Sequence, residues 1–271
     1  MDDAPFMLYG LPDVVLRNVV AQIDPIDVAT LALLSKNSKK KIEQFRSLYI
    51  KCSIRIHFRE DTLFPDVRLQ TNGTQNKLID MPLAGSHYLA QPFPLAFLWI
   101  QLIMKVFIWE NTIEEIKMIG WRGDIRLVFH WAFKSAFTVQ GFMLELKHIK
   151  DADLAYFLDT CRVTRVLCLQ VYPSHEFQTL RLFNEPNVAV TDARWLSPFN
   201  LPLMNCKRLI LKDTRFTSDH VVRLIKCWQS GLAFGRLRKL SLLGRNIDLF
   251  DILAVLPHDI VGPEIFEQIP E

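Results

Sequence analysis

The chain has 271 residues, half of them apolar, with a formal net charge of +3 and a pI near 8.6. That is long and apolar enough for one large or two modest cores, which excludes a disordered chain, and the charge is too mild to demand nucleic acid or an acidic membrane as partner. Five cysteines (52, 161, 168, 206 and 227) with no CxxC spacing, and no signal peptide at the start, point to a reducing compartment, cytoplasmic or nuclear.

Three short helices are predicted first. Pro12 at a first helical position presets φ, and Val15, Leu16, Val19, Val20 and Ile23 follow at the spacing of an amphipathic face. Asp24 and Pro25 repeat the device, with Asp24 as N-cap, and Ile26, Val28, Leu31 and Leu34 form the apolar positions of a second helix. Ser35 caps a third helix in which lysines 36, 39, 40 and 41 leave only Ile42 and Phe45 clearly apolar. A unit this small cannot be stable on its own core and must dock on something. Its apolar seam is wide enough to leave surface for a second protein.

The run from Leu11 to Phe45 resembles an F-box, the helical motif that docks on a Skp-type adaptor and so joins a cullin-based ubiquitin ligase. The resemblance rests on Leu11, Pro12, Leu16, Val19, Ile23, Asp24, Pro25, Val28, Leu31, Leu34 and Ser35. It implies adaptor binding by that set without Asp24. Where the motif often carries a late tryptophan this chain has SKNSKKK, a lysine-rich version similar to the nematode-expanded group of F-box proteins. A basic helix-turn-helix facing nucleic acid is the rival reading of the lysines, since Lys36 to Arg55 holds seven Lys or Arg against one Glu.

Leu48 to Phe58 alternates apolar and polar at Ile50, Cys52, Ile54, Ile56 and Phe58, the period of a strand. Residues 59 to 94, rich in Gly, Asn and Pro, read as loops. The fifteen-residue run Leu95 to Trp109 contains Gln101 and Lys105. It is too short for a membrane span and predicts a buried amphipathic helix.

From Ile113 onward, pairs of apolar residues separated by one position recur: Ile116/Met118, Phe142/Leu144, Leu167/Leu169, Val188/Val190, Leu209/Leu211 and Leu240/Leu242, at intervals of 21 to 31 residues. Most intervals fall in the leucine-rich-repeat range, where each unit is a short strand with a helical or looser return. In the clearest unit, Cys206 to Trp228, residues Cys206, Leu209, Leu211 and Phe216 point inward, Thr217 or Ser218 caps a helix, and Val221, Leu224 and Ile225 cover the core. Pro198 and Pro202 predict an irregular return. Residues 110 to 245, above all DARWLSPFNLPLMNCKRLIL and KCWQSGLAFGRLRKLSLLG, look like the type 2 F-box-associated domain of the same nematode proteins. The resemblance implies a role in substrate recognition.

Little else carries chemistry. His148, Asp151 and Asp153 form an H-x-x-D-x-D cluster better read as an acid capping the next helix than as metal ligands. Cysteine spacings fit no closed zinc site, Gly85-Ser86-His87 lacks the context of an activated nucleophile, and no phosphate-cradling glycine motif occurs. No cofactor and no catalytic residue is expected.

The expected fold is α/β: an N-terminal three-helix F-box followed by a degenerate leucine-rich-repeat-like strand/helix solenoid. The segments are 1–47 (F-box), 48–110 (connector), 111–260 (repeat-like domain) and 261–271 (tail). Positions alternating with the inward residues face a common surface, which selects Glu115, Lys117, Met143, Glu145, Cys168, Gln170, Arg208, Ile210, Lys212, Lys239 and Ser241, with the basic end in the last two strands. Of these Lys117, Met143, Glu145, Gln170, Arg208, Ile210, Lys212 and Lys239 are the candidates for substrate. The reading is a non-catalytic substrate adaptor that binds a Skp-type protein, and through it a cullin, together with a protein substrate. The alternatives are a repeat-type scaffold without ligase role, or the nucleic-acid binder.

Overall fold

Helix α1 (Asp13–Gln22) opens the computed structural model, which describes residues 10–23, 27, 28, 31, 32, 35–45, 53–60, 65–70, 77–79, 97, 100, 101, 104, 112–134, 137–231 and 234–256. Pro12 is the N-cap of α1, one residue earlier than its expected helical position, and its carbonyl accepts the Leu16 N–H at 2.9 Å. Residues 27, 28, 31 and 32 are helical. Helix α2 (Lys36–Gln44) starts where Ser35 accepts the Ser38 N–H at 3.0 Å, which satisfies an otherwise orphan donor. Leu16, Val20, Val28, Ala32, Ile42 and Phe45 are all buried. Asp24, Pro25, Leu34, Ile50 and Cys52 lie outside the described residues, as do the tail and most of the Leu95–Trp109 run, in which Phe97, Ile100 and Met104 are helical and buried.

The chain divides into two units, 1–172 and 173–271. In the first, strands β1 (Ser53–Arg59), β2 (Asp66–Gln70), β3 (Lys77–Ile79), β4 (Thr112–Ile119), β5 (Thr138–Leu146) and β6 (Val163–Val171) run in the order β3-β2-β1-β4-β5-β6. β1, β2 and β3 form an antiparallel meander, while β1, β4, β5 and β6 are parallel. The meander corrects the expectation of loops over residues 59–94. β3 is too short to show a period, and the single Val67/Leu69 pair of β2 stands between Gly-, Asn- and Pro-rich stretches, so only their pairing with β1 and with each other makes them strands. Nor does the boundary expected near residue 110 divide the units, because β1 pairs directly with β4 across it.

Helices α3 (Ile125–Lys134) and α4 (Asp151–Thr160) make the crossovers that parallel pairing requires. They bury Val128, Phe129, Ala132, Leu154, Phe157 and Leu158 against Ile116, Met118, Phe142, Leu144, Leu167 and Leu169 of the sheet. Phe142 is the hub, with ring centroids 6.1 Å from Phe129, 5.3 Å from Phe133 and 5.2 Å from Phe157. Arg126 ties the helices together, with Nε 2.5 Å from Asp153 and its guanidinium 5.6 Å from the Tyr156 ring centroid. Lys150 is the N-cap of α4 with no side-chain cap bond, so Asp151 and Asp153 sit inside the first turn, where the helix dipole favours them. This corrects their expected capping role.

The second unit repeats the strand-and-return plan with β7 (Asn187–Val190), β8 (Arg208–Leu211) and β9 (Lys239–Leu242), all parallel and in that order. The return after β7 is a 3₁₀ turn, Pro198–Leu203, because Pro202 can donate no backbone hydrogen bond. Helix α5 (Ser218–Gln229) follows β8 behind a reciprocal cap: Thr217 accepts the His220 N–H and donates its own N–H to His220 Nδ1 at 3.2 Å. Cys206, Leu209, Leu211 and Phe216 are buried, as are Val221 and Leu224 of the helix itself. Helix α6 (Leu249–Val255) packs Ile252 on Val221 and Val222, and the Asp248 N–H donates to Ser218 Oγ at 2.9 Å.

Candidate functional site

Two kinds of surface stand out: an apolar helix face at the amino terminus and the sheet faces left uncovered by helices. On α1, Val14 and Val15 are 72% and 44% exposed, while Leu16 and Val20 of the same helix are 1% exposed. Of the residues expected to meet an adaptor, Pro12 and Ser35 are exposed, Leu11, Val19, Ile23 and Leu31 are half-buried, and Leu16 and Val28 are buried. Val14 was not among the expected residues, because its position falls between the rows of the core-facing period. The signal was an apolar residue off that period.

In the first unit the face opposite α3 and α4 is set out in rows by the strand register. His57, Lys117, Met143 and Cys168 form one row, Arg55, Glu115, Gly141 and Val166 a second, and Arg59, Ile119, Glu145 and Gln170 a third. The structure thus brings Lys117, Met143, Glu145 and Gln170 together on one half-buried face. A cavity of about 340 Å³ opens on this face beside Lys117 and Met143, away from Glu145 and Gln170, lined in part by Arg55, Glu114, Glu115, Gly141 and Cys168.

The alternation behind these rows breaks at one level in three strands. Buried Ile113 and Ile116 enclose two half-exposed residues, as do Val139 and Phe142, and buried Val163 and Leu167 enclose three exposed ones. A shift of register marks the place between β5 and β6. The break turns Glu114 toward β1, where it accepts from Arg55 Nη2 at 2.6 Å and from Ser53 Oγ at 2.5 Å. Arg55 is the main cause holding the Glu114 carboxyl below its usual range, against the opposing effect of burial. Glu115 is likewise held low by His57 and Lys117, whose nitrogens lie 3.8 Å and 3.2 Å from its carboxylate. At Gly141 an added Cβ would sit 3.2 Å from the Glu114 carbonyl oxygen, closer than ordinary contact, so a side chain there would press on β4. Sequence reasoning missed Arg55, Glu114, Gln140, Gly141 and Arg165 here. The legible signal was the three-residue spacing of Ile113/Ile116 and Val139/Phe142 where two is the rule.

In the second unit, Arg208 stands opposite Lys239 and Ile210 opposite Ser241, with Asn187 and Ala189 beside them on β7. Lys212 extends the same face, its N–H bonded to Val190 O at 2.9 Å. Below it, buried Asp192 accepts twice from Arg194 at 2.6 Å. Among the described residues no group of three or more His, Cys, Asp or Glu is placed to hold a metal, and no helix is long and apolar enough to cross a membrane.

The architecture is therefore that of a mixed α/β chain with an amino-terminal helical module and strand-and-return units behind it. Residues 8–49 match the F-box domain family and residues 175–242 the F-box associated family, and the chain is an F-box protein with an F-box associated domain of type 2. The second match covers the end of the span expected at 110 to 245. No curated protein and no solved structure matches the chain.

Proposed function

We propose that this chain is the substrate-recognition adaptor of a Skp-cullin-F-box ubiquitin ligase, acting in the cytoplasm or nucleus. F-box proteins are generally non-catalytic adaptors whose F-box binds a Skp-type protein. Here the amino-terminal segment acts as a three-helix F-box, and the strand-and-return units act as leucine-rich-repeat-like recognition surfaces for a protein substrate. Ubiquitin transfer would then gain its rate from proximity, the adaptor contributing no reacting group.

The observation that carries the reading is α1 itself: inside the F-box match it buries Leu16 and Val20 yet leaves Val14 and Val15 in solvent. A helix with an interior seam and a second, open apolar face is built for a partner. The full chain, co-expressed with a Skp-type protein and washed at about 0.5 M salt to remove charge-driven binding, is expected to retain it. Val14→Asp with Val15→Asp is expected to abolish that capture with the thermal transition unchanged, since both side chains are exposed. Retention by the double variant overturns the reading. Failure of the wild-type chain to capture the protein favours a scaffold without ligase role.

A further inference from the structure

We infer that the exposed face of β8 and β9 binds an extended anionic peptide carrying two acidic or phosphorylated side chains four residues apart, with an apolar side chain midway between them. The inference rests on the reading of this unit as the substrate-holding domain and adds the chemistry of what it holds.

Arg208 and Lys239 are direct cross-strand neighbours, and like charges so placed destabilise a sheet. Among the described residues neither has a carboxylate within ion-pair distance. The face of the first unit is built differently: Arg55 is matched by Glu114, Arg59 by Asp66 and Lys117 by Glu115. The same chain compensates its cations on one sheet face and leaves them uncompensated on another.

Protection of an open sheet edge would account for Lys239, since β9 ends the strand order. It does not account for Arg208, because β8 is paired on both sides, by β7 and by β9, nor for Lys212, which follows β8 with its N–H on Val190 O of β7.

Side chains two apart in extended backbone share a face: Arg208 and Ile210 lie on β8 and Lys212 follows one residue past its end, its N–H still bonded to Val190 O, so the three form a file about 13 Å long at about 3.3 Å per residue. Ile210 is half-buried in the middle, between two exposed cations. An extended peptide has the same rise and the same alternation. Anionic side chains at its first and fifth positions meet Arg208 with Lys239 and Lys212, and an apolar third residue lies over Ile210. Arginine opposite lysine offers a fork and a point charge to one anion. A single-stranded nucleic acid is disfavoured because the file carries no aromatic ring on which bases could stack.

The test is fluorescence anisotropy on the full chain with three labelled probes in a Gly/Ser frame: Glu-Ala-Leu-Ala-Glu, its permutation Glu-Glu-Ala-Leu-Ala, and the first sequence with phosphoserine for both glutamates. A twelve-nucleotide RNA is the fourth probe. The spaced glutamate or phosphoserine peptide is expected to bind about tenfold more tightly than the permutation, the better of the two naming the source of charge. Arg208→Glu and Lys212→Glu, both at exposed positions, are each expected to weaken it about tenfold, while Lys226→Glu on α5 leaves it unchanged. Equal binding of the permutation, tighter binding of RNA, or binding of no probe overturns the inference. Capture of a Skp-type protein by the same variants is read separately. Lost peptide binding with capture intact isolates this surface, and lost capture with peptide binding intact removes only the ligase reading.

Discussion

Arg55 and Glu114 are 59 residues apart in sequence and joined by a 2.6 Å hydrogen bond between neighbouring parallel strands. The bond fixes the break in alternation that opens the first unit's sheet face, so it links register to surface. It also makes stability depend on pH. Glu114 and Glu115 are held below the ordinary carboxylate value of 4.5, so on acidification the unfolded chain takes up protons before the folded one does. Their stabilisation is therefore full above about pH 5 and is lost as the pH falls through the ordinary value and below. Glu114→Gln is expected to cost about 1 kcal/mol at pH 7 and to make the fall in urea midpoint from pH 5 to pH 3 shallower. A fall as steep as in the parent would show that the pair contributes nothing.

Leu16 was a candidate adaptor contact and is only 1% exposed. Its role is to hold α1 on the rest of the module, and Leu16→Ala is expected to cost about 2–5 kcal/mol locally. Hydrogen exchange should then show faster exchange of the α1 amides, with loss of the Skp-type partner following that opening. Partner loss with α1 amides still protected would instead place Leu16 at the contact.

Much of this fold was legible because a strand with one buried face writes its period into the chain. Ile116, Met118, Phe142, Leu144, Leu167, Leu169, Val188, Val190, Leu209 and Leu211 are all buried as paired inward residues. The Leu240/Leu242 pair is only half-buried, as suits the end of the strand order. What stayed hidden depends on partners far along the chain. β3 is too short to carry a period, the lone Val67/Leu69 pair of β2 has no neighbouring repeat to set it off, and the parallel pairing of β1 with β4 leaves no local mark. The broken alternation that exposes both Glu114 and Glu115 reads, in sequence, as a strand with one polar residue too many. The candidate faces were legible as alternate positions, but the ion pairs that separate a compensated face from an uncompensated one were not.

Cys206 and Cys227 bracket the clearest strand-and-return unit and should react very differently. Burial pushes the Cys206 thiol up to about 11, with Glu185 adding to the effect and Arg236 opposing it, and the side chain is 1% exposed. Cys227 lies half-buried on α5. With the thiolate as the reactive form, iodoacetamide at pH 8 is expected to modify Cys227 more than about tenfold faster than Cys206. Peptide mass mapping over time measures both rates. Equal rates in the folded chain would mean that the segment from Phe183 to Cys206 opens readily.

Phe142 carries the heaviest share of the first unit's interior. It lies at 1% exposure among Phe129, Phe133 and Phe157, and so joins β5 to both α3 and α4. Its neighbour on the opposite face is Met143, in the row with Lys117 and Cys168. Phe142→Ala leaves a ring-sized void that three other rings cannot fill without moving, and is expected to cost about 3–5 kcal/mol. Phe142→Leu retains most of the apolar volume and is expected to cost less than half of that. Urea unfolding gives the two values, and near-ultraviolet circular dichroism reports the loss of ring packing. A cost below about 1 kcal/mol for the alanine variant would mean that the helices are held to the sheet elsewhere. The surface rows built on β4, β5 and β6 would then not depend on this cluster for their register.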